Sequence, residues 1–143
     1  MRVLVLMHED LIPPGEINGE REWTDDPWKT EYDVLNGLKD LSIETLTVGV
    51  REDLGLVRTA LYEFKPDIVF NLLEEFADEA IFDQNVVSYL ELLRVKYTGC
   101  SPRGLMLARD KSISKKILKY HGIPTPDFWV FPNGRKVRIP DGL

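Results

Sequence analysis

Apolar positions follow two different periods along this chain, and the switches between them mark its elements. Residues Val3 to Met7 form an unbroken apolar run, the pattern of a strand covered on both faces. Trp28, Tyr32, Leu35, Leu38 and Leu41 recur at spacings of three and four, which places them on one face of a helix. Asp26 and Pro27 stand in front as an N-cap and a proline at the first helical position. Ile43 to Val48 alternates as a second strand does. Asp53 can cap a helix with Leu56, Val57, Ala60, Leu61 and Phe64 inward, and Pro66 ends it. Asp67 to Leu72 reads as a third strand. Asp83 caps a further helix with Val86, Val87, Leu90 and Leu93 inward, and Lys96-Tyr97-Thr98 is a short fourth strand.

This alternation of strand and helix predicts a Rossmann-like α/β fold: three layers, a parallel sheet, right-handed crossovers and the first strand central. Sheets of this kind bind ligands at the carboxyl ends of their strands. Residues 8–26 form a long connection at that end, rich in turn signals such as Pro13-Pro14-Gly15 and Asn18-Gly19. It is expected to be either a mobile loop over the substrate site or a simply disordered connection. After Gly104 the organisation changes. A short apolar stretch, Leu105 to Ala108, precedes a helix capped by Asp110 that runs to about His121. Gly122 takes the C′ position and Pro124 bars continuation. Asp127 to Phe131 reads as a strand, and Phe131 to Gly134 as a turn. The tail from Arg135 has too little apolar content to fold alone.

Composition narrows the class. A chain of 143 residues suits one compact domain with an appendage. No apolar run approaches the roughly 18 residues of a membrane helix, and the start lacks the cleavage pattern of a signal peptide. The single Cys100 cannot form an internal disulfide, so a cytoplasmic setting is expected. The charge is uneven. Residues 1–108 hold 10 Lys/Arg and 21 Asp/Glu, a net −11, while residues 109–143 hold 8 and 3, a net +5. A basic segment on an acidic body suits a small polyanion and argues against nucleic acid as a partner.

Several residues can carry chemistry. Lys111 falls in the first turn of the Asp110-capped helix, where helix dipole and ammonium both favour an anion. Glu74 and Glu75 follow the third strand at its ligand-binding end, where a carboxylate pair can hold a substrate amine. His8, closing the first strand, reaches the same place, and Glu9 and Asp10 follow it. Neither a dinucleotide fingerprint nor a phosphate loop is present, and no residues have metal-ligand spacing, so no metal site is assigned.

Phe70-Asn71-Leu72-Leu73-Glu74-Glu75-Phe76, Tyr97-Thr98-Gly99, Asp110-Lys111, Lys115-Lys116 and Gly122-Ile123-Pro124-Thr125-Pro126 together resemble the ATP-grasp ligases, in particular the amino-terminal part of D-alanine–D-alanine ligase-like proteins. The resemblance implies a pre-ATP-grasp domain over residues 1–108 and an incomplete beginning of the nucleotide-binding lobe over 109–143. It implies a parent enzyme that uses ATP and Mg²⁺ to join a carboxylate to an amine, both small molecules, and a segment that is inactive alone. Lys111 matches the lysine that contacts nucleotide phosphates. Lys115 matches a downstream lysine and is expected to be structural. His8, Glu9, Glu74 and Glu75 fall where substrate is held. Two places depart from the family. Leu73 to Glu79 stands where the family has His-Gly and Gly-Glu-Asp-Gly stretches, and His8-Glu9-Asp10 replaces a glycine-rich loop with Ser and Glu. Both departures point away from D-alanine. The rival reading is a stand-alone α/β binding or dimerisation module without catalysis; a homodimer stays open. A weaker rival, a receiver-like domain, predicts an acidic pocket at Glu9 and Asp10.

Overall fold

The structure is a computed structural model that describes residues 1–15, 26–131, 133, 134 and 136. The chain divides into two compact units, Met1–Met106 and Leu107–Leu143.

The first unit is built on three parallel strands, β1 (Arg2–His8), β2 (Glu44–Val50) and β3 (Ile68–Asn71), in the order β2-β1-β3. The first strand is central, as its continuous apolar run requires. Alternate residues serve opposite faces. Leu4 and Leu6 pack with Val57 of α2 (Leu54–Phe64) and Val86 and Leu90 of α3 (Asp83–Leu92). Val3, Val5 and Met7 pack with Leu38 of α1 (Lys29–Asp40) on the other side. All five strand residues are at most 2% exposed, so β1 is the seam of two cores and tolerates no polar substitution on either face. No helix among the described residues is long and apolar enough to cross a membrane.

The expected fourth strand at Lys96–Thr98 is a single bridge between Val69 and Tyr97. The Val69 N–H donates to Lys96 O at 2.8 Å and the Thr98 N–H to Val69 O at 3.0 Å. Pairing stops there because Thr98 Oγ1, not its backbone, accepts the Asn71 N–H. Two expected caps also differ. Trp28, not Asp26, is the N-cap of α1, and Asp26 O accepts the Lys29 N–H in a preceding turn. Asp83 is the first residue of α3, not its cap, and bonds its neighbour Gln84 N. Asp53 does cap α2, through the Gly55 N–H. Of the expected loop over 8–26, residues 9–11 form a 3-10 helix and residues 16–25 lie outside the described residues.

Helix ends set the way into the sheet. At the end of α1, Ser42 adopts φ 55°. Its N–H donates to Lys39 O and that of Ile43 to Leu38 O. At the end of α3, Arg94 adopts φ 56°, with the same pair of bonds to Glu91 O and Leu90 O. Both are Schellman stops, and in each the following apolar residue joins the core that holds the last turn: Ile43 with Leu38, Val95 with Leu90.

Residues Pro102–Arg109 form a helix, α4, where only a short apolar stretch is expected. Ser101 Oγ accepts the Gly104 N–H at 3.3 Å, so Ser101-Pro102 is a cap followed by proline at the first position, not a break. In the second unit, α5 (Lys111–Tyr120) is capped by Asp110 through the Ile113 N–H. It ends in a third Schellman stop at Gly122, φ 70°. Residues 127–131 form no strand. Their side chains fasten to α5 instead: Phe128 lies beneath both Lys115 and Lys119, and Lys119 Nζ donates to Asp127 at 2.9 Å. Asn133 and Gly134 lie in a turn.

Candidate functional site

The carboxyl ends of β1, β2 and β3 open into a cleft of about 370 Å³ lined by His8, Asp10, Leu11, Arg51, Glu74, Glu75 and Asp78. Each strand contributes through the residues that follow it, which is how a parallel sheet gathers side chains distant in sequence. His8, Glu74 and Glu75 therefore meet here.

His8 is 5% exposed. Its Nδ1 accepts the Asp10 N–H at 3.3 Å, which leaves the neutral ring's proton on Nε2. That Nε2 is buried, has no hydrogen-bond partner, and lies 3.8 Å from Glu75 Oε1. The ring thus carries an unpartnered donor, not a lone pair, at an atom that is itself buried.

Arg51, the first residue after β2, organises the rest. Its Nε donates to Glu9 Oε1 at 2.6 Å, its Nη1 to Asp78 Oδ1 at 2.6 Å and its Nη2 to Asp10 Oδ2. These carboxylates, Glu9 and then Asp10 foremost, push the guanidinium further above its already high pKa. Glu9 is consequently held by Arg51 and, unlike His8, Glu74 and Glu75, is not among the residues that line the cleft. Neither Arg51 nor Asp78 is among the residues singled out from sequence. The available signal is Arg51's position directly after β2, the one strand end for which no ligand-facing residue is sought.

Glycine makes this wall possible. A Cβ on Gly49 of β2 would lie 2.9 Å from Glu9 Cα and closer still to the Ile12 side chain, so only glycine lets the 3-10 helix sit against the strand. Opposite it, Phe76 and Glu79 form an antiparallel bridge around Ala77 and Asp78, at φ 54° and 58°. Two consecutive left-handed non-glycine residues in a two-residue turn are strained.

His8, Glu75 and Asp78 offer ligand atoms within 4.8 Å of one another. Their chemistry does not fit a divalent metal: Nε2 carries a proton and Asp78 is already bound to Arg51. Lys111, at the start of α5, is exposed. The Ile113 N–H beside it is taken by Asp110, whose carboxyl that bond, followed by the one from Ser112, holds below its usual range. An anion would meet the Lys111 ammonium without the full set of helix donors. Lys115 is occupied with Phe128, 5.3 Å from the ring centre.

No protein-family model matches the chain. It is 34% identical over 131 residues to the D-alanine–D-alanine ligase of Aquifex aeolicus, covering 92% of this chain and 40% of that one. It is 32% identical over 128 residues to the Moorella thermoacetica ligase, covering 90% and 36%. An uncharacterized protein of Sinorhizobium fredii, y4sG, is 36% identical over 118 residues, covering 76% and 34%. The fold is similar to that of the Bacillus anthracis D-alanine–D-alanine ligase complexed with ATP, with a TM-score of 0.69 at 25% identity, over 99% of this chain and 43% of that one. The chain thus spans well under half the length of the curated relatives it matches. Its fold and its sequence are similar to those of the amino-terminal region of ATP-grasp ligases. More particularly, the chain is the counterpart of the amino-terminal part of a D-alanine–D-alanine ligase-like protein.

Proposed function

We propose that this chain forms the substrate side of an ATP-dependent carboxylate–amine ligase. The observation that carries the reading is the cleft at the sheet's carboxyl edge, where Glu75 and Glu74 stand beside the buried His8 donor in a fold shared with an ATP-bound ligase. Glu74 and Glu75 hold the amine through charge-assisted hydrogen bonds. His8 orients an acceptor oxygen, and Glu9 acts through Arg51, which it binds and which lines the cleft. Residues 1–108 serve as the pre-ATP-grasp domain and 109–143 begin the nucleotide-binding lobe. Lys111 is the residue of this chain that would contact an ATP phosphate, and bound ATP supplies the phosphoryl group that activates the carboxylate. The Mg²⁺ that such chemistry uses has no fitting ligand set in the cleft.

Such a ligase closes its nucleotide between two lobes, so the 143 residues alone are expected to turn over neither ATP nor amine. The reading carries with it a cytoplasmic setting and small-molecule substrates. The test is calorimetric titration of ATP into the complete gene product. Lys111→Ala should weaken binding roughly ten- to a hundredfold, and Lys115→Ala much less. Unchanged affinity in Lys111→Ala, with an unchanged melting temperature, removes Lys111 from the site.

One observation favours a second reading. Trp129, Val130 and Phe131 are 46–57% exposed, and an apolar run of that kind suits a binding or dimerisation module. Light scattering showing a concentration-dependent dimer that Trp129→Ser abolishes would support it.

A further inference from the structure

We propose that Asn133 is a site of spontaneous covalent modification. Its side-chain amide is lost to attack by the Gly134 backbone nitrogen, with water as the co-reactant, while the fold protects the same dipeptide at Asn36-Gly37. The inference is independent of the ligase reading above.

The sequence holds three Asn-Gly pairs, at 18–19, 36–37 and 133–134. The first lies outside the described residues. Crowding does not separate the other two. Apart from chain neighbours and the helix's own backbone, no atom would lie within 4 Å of a Cβ on Gly37 or on Gly134. The backbone separates them. Asn36 and Gly37 lie inside α1, where each amide N–H is committed to the carbonyl four residues earlier. Gly37 O in turn accepts the Leu41 N–H at 3.2 Å. Asn133 and Gly134 lie in a turn and are both exposed, with Gly134 at φ 74°. Residues 127–131 before them form no strand. No backbone carbonyl among the described residues accepts the Gly134 N–H.

The turn meets each requirement of the reaction. The Gly134 N–H is open to solvent base. The bond between Asn133 Cα and its carbonyl carbon can rotate to bring that nitrogen against Cγ. Glycine, lacking a β-carbon, leaves the approach clear. A bond then forms between Gly134 N and Asn133 Cγ, the Cγ–Nδ2 bond breaks, and Nδ2 leaves as ammonia with the proton. Water opens the cyclic imide that results. Cleavage at Cγ gives aspartate; cleavage at the main-chain carbonyl gives isoaspartate, with the chain running through the β-carbon. Either product places a negative charge in residues 109–143, where 8 Lys/Arg and 3 Asp/Glu give a net +5. At Asn36 the same rotation would break the hydrogen bonds of α1.

The experiment is incubation of the 143-residue chain in mildly alkaline buffer, with and without guanidinium chloride, followed by peptide mapping with mass spectrometry. Loss of the amide and isoaspartate content are scored separately in the peptides that carry Asn18, Asn36 and Asn133. In the native chain Asn133 should react at least about tenfold faster than Asn36, because Asn36 reacts only from a locally opened helix. In denaturant the two rates should converge, since the dipeptide is the same. Equal rates in the native chain overturn the proposal, as does an Asn133 that keeps its amide natively and loses it in denaturant. A difference that persists unchanged in denaturant overturns it too, because it would then belong to the flanking residues and not to the fold.

Discussion

Arg51 holds the Ala77–Asp78 turn from two sides. Its carbonyl accepts the Ala77 N–H at 2.6 Å, and its guanidinium donates to Asp78 Oδ1 at 2.6 Å. The end of β2 and the loop after β3 are thereby tied by one residue. Arg51→Met should keep the backbone bond and lose the side-chain one. Amide exchange over residues 76–79 should then rise severalfold while that of β1 stays unchanged. Equal protection in the variant would show that the turn stands without the guanidinium.

The turn stores strain. Ala77 at φ 54° occupies a region that costs an L-residue about 1–2 kcal/mol. Glycine removes that cost and returns part of it as unfolded-chain entropy. Ala77→Gly should raise stability by about 0.5–1 kcal/mol, read as a higher denaturant midpoint at unchanged slope. A lower midpoint would mean that the turn is not strained.

Gly49 is expected to be intolerant for the opposite reason. Its backbone φ is ordinary, but a methyl group would strike Glu9 Cα and Ile12. Gly49→Ala should destabilise the protein by about 1–3 kcal/mol, the usual range for overpacking. It should also weaken ligand binding at the cleft, because the displaced 3-10 helix carries Glu9 and Asp10. A neutral effect on both would place the helix elsewhere.

Tyr97 provides a pH signature. Its hydroxyl donates to Glu91 at 2.7 Å, and that bond, with partial burial and the carboxylate's charge, pushes its pKa up to about 12. The folded value lies above the ordinary 10.0. The stability Tyr97 contributes is therefore complete below pH about 10 and fades as pH rises towards 12. Absorbance titration of the phenolates should show a late-ionising group that Glu91→Gln moves towards the rest. A titration unchanged by Glu91→Gln would contradict the bond.

The parallel sheet was legible because β1 is apolar at every position from Val3 to Met7, a pattern that a strand buried on both faces needs. His8, Glu74 and Glu75 were legible for a related reason: in a parallel sheet the residue after a strand has a known address. Arg51 shares that address but was hidden among ordinary surface arginines, since nothing in its local pattern shows the three acids that converge on it. The failures have physical causes too. The helix over Pro102–Arg109 was not legible beyond a short apolar stretch, because Pro102 at the first helical position and Gly104 close to Cys100 read as helical only with the Ser101 cap in place. Asp127–Phe131 has strand composition, yet Phe128 lies against Lys115 and Lys119 of the preceding helix, contacts that the local pattern does not show.

The two Schellman stops of the first unit also bear on how the chain finds its fold. Parallel pairing joins residues far apart in sequence, which slows folding because long loops must close before contacts reward them. At Ser42 and Arg94 the helix end turns the chain and packs Ile43 and Val95 against residues only five positions earlier, Leu38 and Leu90. The direction and first inward residue of the next segment are thus set by neighbours, before any partner strand arrives. The search for register is then confined to docking preformed helix–strand corners on β1, and the left-handed strain at these two residues is the cost of that head start.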